Sequence, residues 1–564
     1  LPGSLHHTSR RSFLRLAAAG STAALIPSCW KSPPSKSFDI PGEFVGGSFR
    51  IGHLLRQPDF ASKIPEEPEE GFEVAIVGGG ISGLSAAWKL RKSGVKNLCV
   101  LELEPWLGGT SSNGRANGTD FPWAAHYLNI PPPEADCLNE VLEDIGVIRG
   151  FDKSGFPEIP DEYLLKWPRE RLFWKGQWRE WNPYWKAPEW EREVLMQFED
   201  DMLRWTLFKG RDGRRAFALP VMYSSRDPRV LKLDQISFKD YIRSKGWNSP
   251  RLDWELNYAC RDDYGGTIET ISAWAGIHYH ACRNYDPRLH KEYPSHTMTW
   301  TAGNGFLVQK LAEGIADKRT GCLALSIENR KGHTEVGYYD VEKEICHRVR
   351  ARAVVFAAKQ HTAPFVIRDL PEEQKEVFSE ITFTPWLTAA IHVKRLPTDV
   401  FHPPAWDNMI YKGDALGYIV ADHQIREQRE TDAPSVLVYY LPFFEKVDDA
   451  RSRLLDRNHK DWVNVIMNDL SRADDELADL VQRIDVYRWG HAMIRPDPGT
   501  LWGKSSELRR RPFGRVFFAS CDATGLPLFE EACFNGIRAA EEVMEKLDVD
   551  FDTSLKGLDP ASTL

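Results

Sequence analysis

Glycine spacing carries the first chemistry in this sequence. Val74-Ala75-Ile76-Val77 is an apolar run of strand-forming residues, and Gly78-x-Gly80-x-x-Gly83 follows it directly. Ile81, Leu84, Ala87, Trp88 and Leu90 then recur at helical spacing, and Gly94 supplies a stop. A strand, a tight turn and a helix start form a cradle for a dinucleotide pyrophosphate. In that cradle Gly78 permits the turn, Gly80 lets backbone approach a phosphate, and Gly83 lets the helix pack closely on the strand. Ile81 and Ser82 open the helix. The next apolar run, Leu98-Cys99-Val100-Leu101, ends on Glu102. An acid at that point, about twenty residues past the glycines, accepts hydrogen bonds from a ribose. Asp262 and Asp263, in the polar phrase Cys260 to Gly266, could hold a substrate cation. Capping a helix or pairing with Arg261 is the reading their placement favours. His278 and His280 flank Tyr279 without an acid at metal-ligand spacing, and the nine cysteines include no CxxC pair, so no metal site is expected.

These residues need a large scaffold. A chain of 564 residues exceeds one simple core, so linked domains are expected. Its 42% hydrophobic and 27% charged content suit a globular protein, and a net charge of -9 without a long basic run excludes a nucleic-acid partner. Ser9-Arg10-Arg11-Ser12-Phe13-Leu14-Arg15 precedes a small apolar run from Leu16 to Ile26, which resembles a twin-arginine export signal. Its end, Leu25-Ile26-Pro27-Ser28-Cys29, reads either as a lipoprotein site that would leave Cys29 acylated or as simple cleavage nearby. An exported location, periplasmic or lipid-anchored, follows from either. Residues Lys31 to Gly71, rich in Pro, Ser, Gly and charge, read as a linker or a surface-wrapping arm. Seven tryptophans lie from Trp167 to Trp205; most should be core, with some lining a cap.

Beyond Glu102, the spacing to Gly108-Gly109-Thr110 resembles the second flavin fingerprint of the FAD-dependent amine oxidase superfamily. Asp120-Phe121-Pro122-Trp123-Ala124-Ala125-His126-Tyr127 is similar to that family's segment beside the flavin ring. Trp300 to Leu311 resembles its Gly-rich turn and helix, and Cys322 to Glu328 its strand on the adenine side. The closing stretch, Arg515 to Asp522 and then Glu530 to Ala540, resembles its last flavin motif. The chain departs from the pattern at Trp106 and Thr110, where relatives usually carry basic residues; Arg115 is the candidate substitute. The export signal, the Cys260-Arg261-Asp262-Asp263-Tyr264 phrase and Arg488-Trp489-Gly490-His491 narrow the resemblance to spermidine-dehydrogenase-like flavoproteins.

The resemblance implies an α/β fold: a Rossmann-like FAD-binding domain with an interleaved α+β substrate domain. Residues 72–130, 296–385 and 485–548 would form the FAD domain, and 131–295 and 386–484 the substrate cap. Residues 1–29 would be the signal, 30–71 the arm and 549–564 a tail. Gly78, Gly80, Ile81, Ser82, Gly83, Glu102, Gly108, Gly109, Thr110, Leu323, Asp522 and Ala532 would hold FAD, without a cysteinyl link because no Cys lies between Trp489 and Phe518. His126, Trp489 and Glu531 are the expected catalytic residues. A helix beginning near Ala532 would aim its positive end at the cofactor. The implied activity is hydride transfer from an amine, polyamines included, to flavin N5, followed by imine hydrolysis. The implied partners are a cationic amine, an electron acceptor that the sequence does not name, and a second copy of the chain. The alternatives are an FAD enzyme of the same superfamily on a non-amine substrate (desaturase, amino-acid oxidase or mutase) and a non-catalytic flavin-binding protein.

Overall fold

The computed structural model of the chain describes residues 36–57, 59–153, 155–283, 295–399 and 401–558. The export-signal stretch with Cys29 and the last residues of the tail lie outside them. From Phe38 onward the chain is one unit built on two large sheets.

In the first sheet the glycine-loop strand Glu70–Val77 lies between two parallel neighbours, Leu98–Leu101 and Ile345–Phe356. Asp317–Arg319 extends the sheet beside Leu98–Leu101, and Val516–Phe518 pairs with the end of Ile345–Phe356, both in parallel. The long strand Ile345–Phe356 belongs to two structures, because its first half also closes an antiparallel meander with Thr334–Asp340 and Cys322–Asn329. Side chains alternate between faces. Val74 and Ile76 pack under the helices Ile81–Lys92 and Phe529–Leu547, while Ala75 and Val77 pack toward the meander. Burial on both faces explains why these strands read as unbroken apolar runs.

The second sheet is mostly antiparallel and centres on Phe383–Val393, between Ser435–Pro442 and Val481–Ile494. Gly417–Val420, Asp407–Ile410, Glu170–Trp174 and Gln177–Glu180 continue it. Period-two patterning again divides the work. Leu387, Ala389 and Ile391, with Leu437, Tyr439 and Leu441, face the helix His459–Leu470. Trp386, Ala390, Val436, Val438 and Tyr440 face the other way, with Trp123 and Tyr487. A helical lobe of Glu189–Leu207, Phe238–Ser244, Pro250–Tyr264 and Ala273–Ala281 completes the cap around its own core. Phe238–Ser244 starts on a side-chain cap: Ser237 Oγ accepts from Asp240 N at 3.0 Å.

The boundaries expected at 385/386 and 484/485 both fall inside strands of the second sheet. Tyr487–Met493 was grouped with the final cofactor motif, yet its strand pairs with Phe383–Val393 and the first sheet resumes only at Val516. The helix His459–Leu470 and the turn Leu477–Leu480 lead straight into the strand Val481–Ile494. The arm is a wrapped one. Phe44–Val45 adds a short parallel strand beside Val486–Tyr487, and Ile51, Leu54, Phe60 and Ile64 pack with Leu103, Leu323 and Leu325. The tail is docked as far as it is described: buried Lys89 forms an ion pair with Glu541 at 3.1 Å and donates to Ser554 Oγ at 2.7 Å. No helix among the described residues is long and apolar enough to cross a membrane.

Candidate active site

A cavity of about 860 Å³ is lined by residues of both sheets, the helical lobe and the arm. At one end the glycine loop supplies its wall. Gly78 has φ +110°, and a Cβ there would meet Ala357 carbonyl carbon at 2.8 Å, so only glycine makes the turn. A Cβ on Gly83 would sit 1.9 Å from Gly78 O, which fixes the helix against its own turn. Gly83 therefore packs and does not line the cavity. A Cβ on Gly80 would meet nothing within 4 Å; its backbone faces open space, with Ile81 and Ser82 beside it on the wall. Gly108, Gly109 and Thr110 continue that wall, and Gly108 N donates to Gly79 O at 2.8 Å. Glu102 also lines it. Burial pushes its carboxyl up to about 7, although Oε2 accepts from Gly79 N at 2.7 Å and Oε1 from Glu104 N at 2.9 Å. Leu323, with Cys322 and Ala324, forms an apolar patch nearby, and Ala532, Ser520 and Cys521 lie farther along. Asn304 Oδ1 and Ser520 Oγ are buried on this wall without a hydrogen-bond partner. A glycine cradle open to space, a ribose-side acid and orphaned polar atoms together fit a dinucleotide.

Three expectations about this end change. Asp522 is fully buried but off the wall: Oδ2 accepts from Gln360 N at 2.9 Å and Oδ1 lies 3.7 Å from Lys359 Nζ. The turn Cys521–Ala523 puts Ser520 and Cys521 on the wall and leaves Asp522 to brace the Lys359–Gln360 segment. Arg115 does not stand in for the basic residues missing at 106 and 110. It is exposed in a hairpin, 3.3 Å from Asp120, and absent from the wall. Cations that do reach the wall are Arg56, Arg283, Lys359, Arg451 and Arg488. The last helix starts at Phe529, one turn before Ala532.

The other end is acidic and aromatic. His126 lies on the wall with Tyr440, Trp406 and Tyr127 rings around it at 4.9, 5.2 and 5.2 Å. Burial lowers its pKa to about 4, so the imidazole is neutral at pH 7. Its Nδ1 is 3.0 Å from Ala124 O, which can only accept; the proton therefore sits on Nδ1 and Nε2 is the basic atom. Trp489 stacks on Tyr487 at 3.6 Å and 2°, and its Nε1 donates to Thr388 Oγ1 at 3.0 Å. Trp386, Tyr440 and Trp489 form an aromatic wall, with Thr388 beside them. None of the tryptophans from Trp167 to Trp205 lines it; Trp178 is core, and Trp167 and Trp190 are exposed.

The acids also change places. Glu531 does not face the cavity. Its Oε1 accepts from Val221 N at 2.6 Å, and its neighbour Glu530 takes the wall position, since adjacent helical residues point about 100° apart. Asp262 and Asp263 are not caps and do not pair with Arg261. They lie inside helix Pro250–Tyr264 and both reach the wall, while Arg261 donates to Asp414 O at 2.7 Å. Asp263 is held by Arg283 and by Tyr127 OH at 3.1 Å. Among the described residues Asp262 has no such clamp: burial, with Asp263 beside it, raises its carboxyl to about 7. Burial raises Glu530 to about 7 as well. Behind Asp262, burial lifts Asp407 and Glu170, and the negative charge of Glu170 and Asp262 lifts Asp407 further. Asp407, Glu170, Tyr440 and Arg283 had no place in the sequence expectations. One signal existed: Trp254, Tyr258 and Asp262 recur every four residues and share a helix face, with Tyr258 OH 3.3 Å from Asp407 Oδ2.

Comparison with known proteins agrees with this geometry. Residues 76–145 match the NAD(P)-binding Rossmann-like domain family. A stretch of 91 residues is 35% identical to protoporphyrinogen oxidase 2 of Arabidopsis thaliana, covering 16% of each chain. The stretches matched in curated relatives span a sixth to a third of those proteins. Among solved structures, wild-type putrescine oxidase bound to putrescine is similar, with TM-score 0.61 and 16% identity over 84% of this chain and 99% of that one. Cyclohexylamine oxidase from Brevibacterium oxydans gives TM-score 0.59 and 15% identity over 85% and 99%. At these identities the likeness establishes the fold: a mixed α/β chain with a Rossmann-like dinucleotide-binding domain, as in FAD-dependent amine oxidases.

Proposed function

We propose that the protein is an FAD-dependent oxidoreductase acting on an amine, and among amines on a polyamine. The acidic, aromatic end of the cavity carries this reading. Asp262 and Glu530 stand on the wall with raised carboxyl pKa values, and Asp407 and Glu170 extend the row behind them. Carboxyls forced together and desolvated hold protons until a cation replaces them. A substrate with several ammonium groups spaced along a chain supplies such cations.

FAD would lie against the glycine loop, Glu102, Leu323 and Ala532, and when bound it accepts hydride from the carbon beside the amine nitrogen, leaving an imine that water hydrolyses. The protein's own groups prepare that event. Asp262, with Asp407 and Glu170 behind it, binds a distal ammonium and sets how far the chain enters. Trp386, Tyr440 and Trp489 exclude water from the reacting end, which favours the uncharged nitrogen. Neutral His126 takes the proton on Nε2 directly or through a water. Glu530 orients the second nitrogen. Cofactor binding would be non-covalent: burial pushes the wall thiols Cys322 and Cys521 up to about 11 and about 12, leaving both protonated. Export by the twin-arginine route would place the loaded enzyme outside the cytoplasm, where a non-oxygen acceptor could take the electrons.

The test is anaerobic flavin bleaching. The purified protein should show a flavin spectrum that spermidine and putrescine bleach, and that monoamines and amino acids bleach far more slowly. No bleaching by any amine would overturn the amine reading and leave a non-amine substrate of the same fold. Acid precipitation should release the flavin into the supernatant.

A further inference from the structure

The cavity has a wall that no glycine motif supplies. Residues Gly47 to Arg56 of the arm line it, through Gly47, Ser48, Phe49, Gly52, His53, Leu55 and Arg56. They lie against the cofactor end. Ser48 N and Oγ donate to Glu104 at 2.8 and 3.1 Å, two residues past Glu102. Ile51, Leu54 and Leu55 pack on the patch that contains Leu103, Leu323 and Leu325.

The arm is seated by shape. Gly46 and Gly47 follow one another at φ +60° and +62°. A Cβ on Gly46 would lie 2.2 Å from the Tyr487 ring, and one on Gly47 would lie 2.9 Å from Arg488 O. Arg488 is in turn sandwiched by the arm, its guanidinium 3.6 Å from the Phe44 ring centroid and 5.1 Å from that of Phe49. Strand pairing of Phe44–Val45 with Val486–Tyr487 completes the seat.

The arm also brings charge. No ion pair to Arg56 occurs among the described residues, and Arg56 shares its wall with His361 and His491, which burial keeps neutral and to which Arg56 adds a minor repulsion. The other cations there are engaged: Arg451 with Asp448 at 2.6 Å, Lys359 toward Asp522 at 3.7 Å, Arg283 with Asp263, and Arg488 between the Phe44 and Phe49 rings while donating to Leu455 O at 2.8 Å. The usual basic positions of the second glycine motif hold Trp106 and Thr110, and Arg115 points away.

We propose that Gly47–Arg56 is a strap forming the outer wall of the dinucleotide site, and that Arg56 supplies the positive charge for the pyrophosphate that the glycine motif lacks. The strap seats on strands from the middle and end of the chain, so it closes only after both sheets have formed, and it closes over a bound dinucleotide. This rests on FAD being the cofactor, and its test reads cofactor affinity, not amine turnover.

The full-length protein is stripped of flavin, and FAD binding is followed by fluorescence quenching in the wild type, Arg56→Gln and Gly46→Val. Arg56→Gln should weaken FAD at least tenfold, flatten the salt dependence of Kd, and leave riboflavin affinity unchanged, with the apoprotein melting temperature as in the wild type. In limited proteolysis, the wild-type arm should be cut quickly in the apoprotein and slowly with FAD. In Gly46→Val it should be cut quickly in both. FAD affinity in Arg56→Gln within twofold of wild type, or arm cleavage indifferent to FAD in the wild type, would overturn the strap while leaving the FAD reading intact. A wild-type apoprotein that binds no FAD would overturn both.

Discussion

The two ends of the cavity are built by different means. At the cofactor end, backbone does the work. Gly78, Gly80 and Gly83 lie within six consecutive residues, and their requirements are steric: a left-handed turn, an open approach and a helix pressed on its own turn. At the substrate end, side chains do the work, and they converge from distant segments: His126 from a loop, Asp262 from a helix, Asp407 and Tyr440 from strands of the second sheet, and Glu530 from the last helix. The first end is settled by steric fit of backbone, and it leaves Asn304 Oδ1 and Ser520 Oγ without hydrogen-bond partners. The second stores unfavourable electrostatics, with carboxyls held protonated near neutrality. A cradle for a common cofactor can be local, whereas selectivity for a substrate is assembled from everything that surrounds it.

Gly83→Val strikes the cofactor end hardest. A Cβ 1.9 Å from Gly78 O leaves no relaxation short of moving the helix. The variant should purify without flavin absorbance, and full flavin content would contradict the steric account. At the substrate end, His126→Gln should lower the rate of flavin reduction on the order of a hundredfold, the lower bound for losing a general base. Because burial holds His126 near 4, the wild-type profile should show no limb from this residue near pH 6.5; stopped-flow reduction against pH measures it.

Asp262→Asn should cost about 2 kcal/mol of binding for a polyamine, about thirtyfold in kcat/KM, and much less for a monoamine. It carries a signed stability consequence. The folded carboxyl titrates near 7 against an ordinary 3.8, so the folded state holds the extra proton. Stability from this group is present below about pH 4 and is lost as pH rises toward about 7. Asp262→Asn should therefore melt higher than wild type at pH 8 and equally at pH 4. A lower melting temperature at pH 8 would break the assignment of stored repulsion.

Glu530→Gln and Glu531→Leu separate neighbours by role. Glu531→Leu leaves Val221 N without its acceptor and should cost about 1–3 kcal/mol of stability, while Glu530→Gln should spare stability and raise KM. Paired melting and kinetic measurements decide this. The smallest effect is expected from Trp489→Phe, which loses the Thr388 hydrogen bond and part of the Tyr487 stack, about 1 kcal/mol in substrate binding.

Legibility followed the same divide. Gly78, Gly80, Ile81, Ser82, Glu102, Gly108, Gly109, Thr110 and Leu323 line the cavity, and Gly83 packs behind it, because their demands are met within a few residues of chain or by strand ends in one sheet. Glu531 and Asp522 were one position from wall residues. A motif fixes which turn approaches the cavity, but a single step of helix or turn decides which side chain enters it. Asp262 was read as a local cap because sequence proximity to Arg261 was visible and spatial proximity to Asp407 was not.

By itself, then, the sequence determined the Rossmann-like core and the dinucleotide cradle. Periodicity and glycine sterics are properties of neighbouring residues. Only the tertiary structure decided which acids and aromatics meet, that Val481–Ile494 belongs to the second sheet, and that Gly47–Arg56 lines the cavity. Those outcomes depend on contacts across hundreds of residues, and on burial that turns ordinary carboxylates into protonated ones.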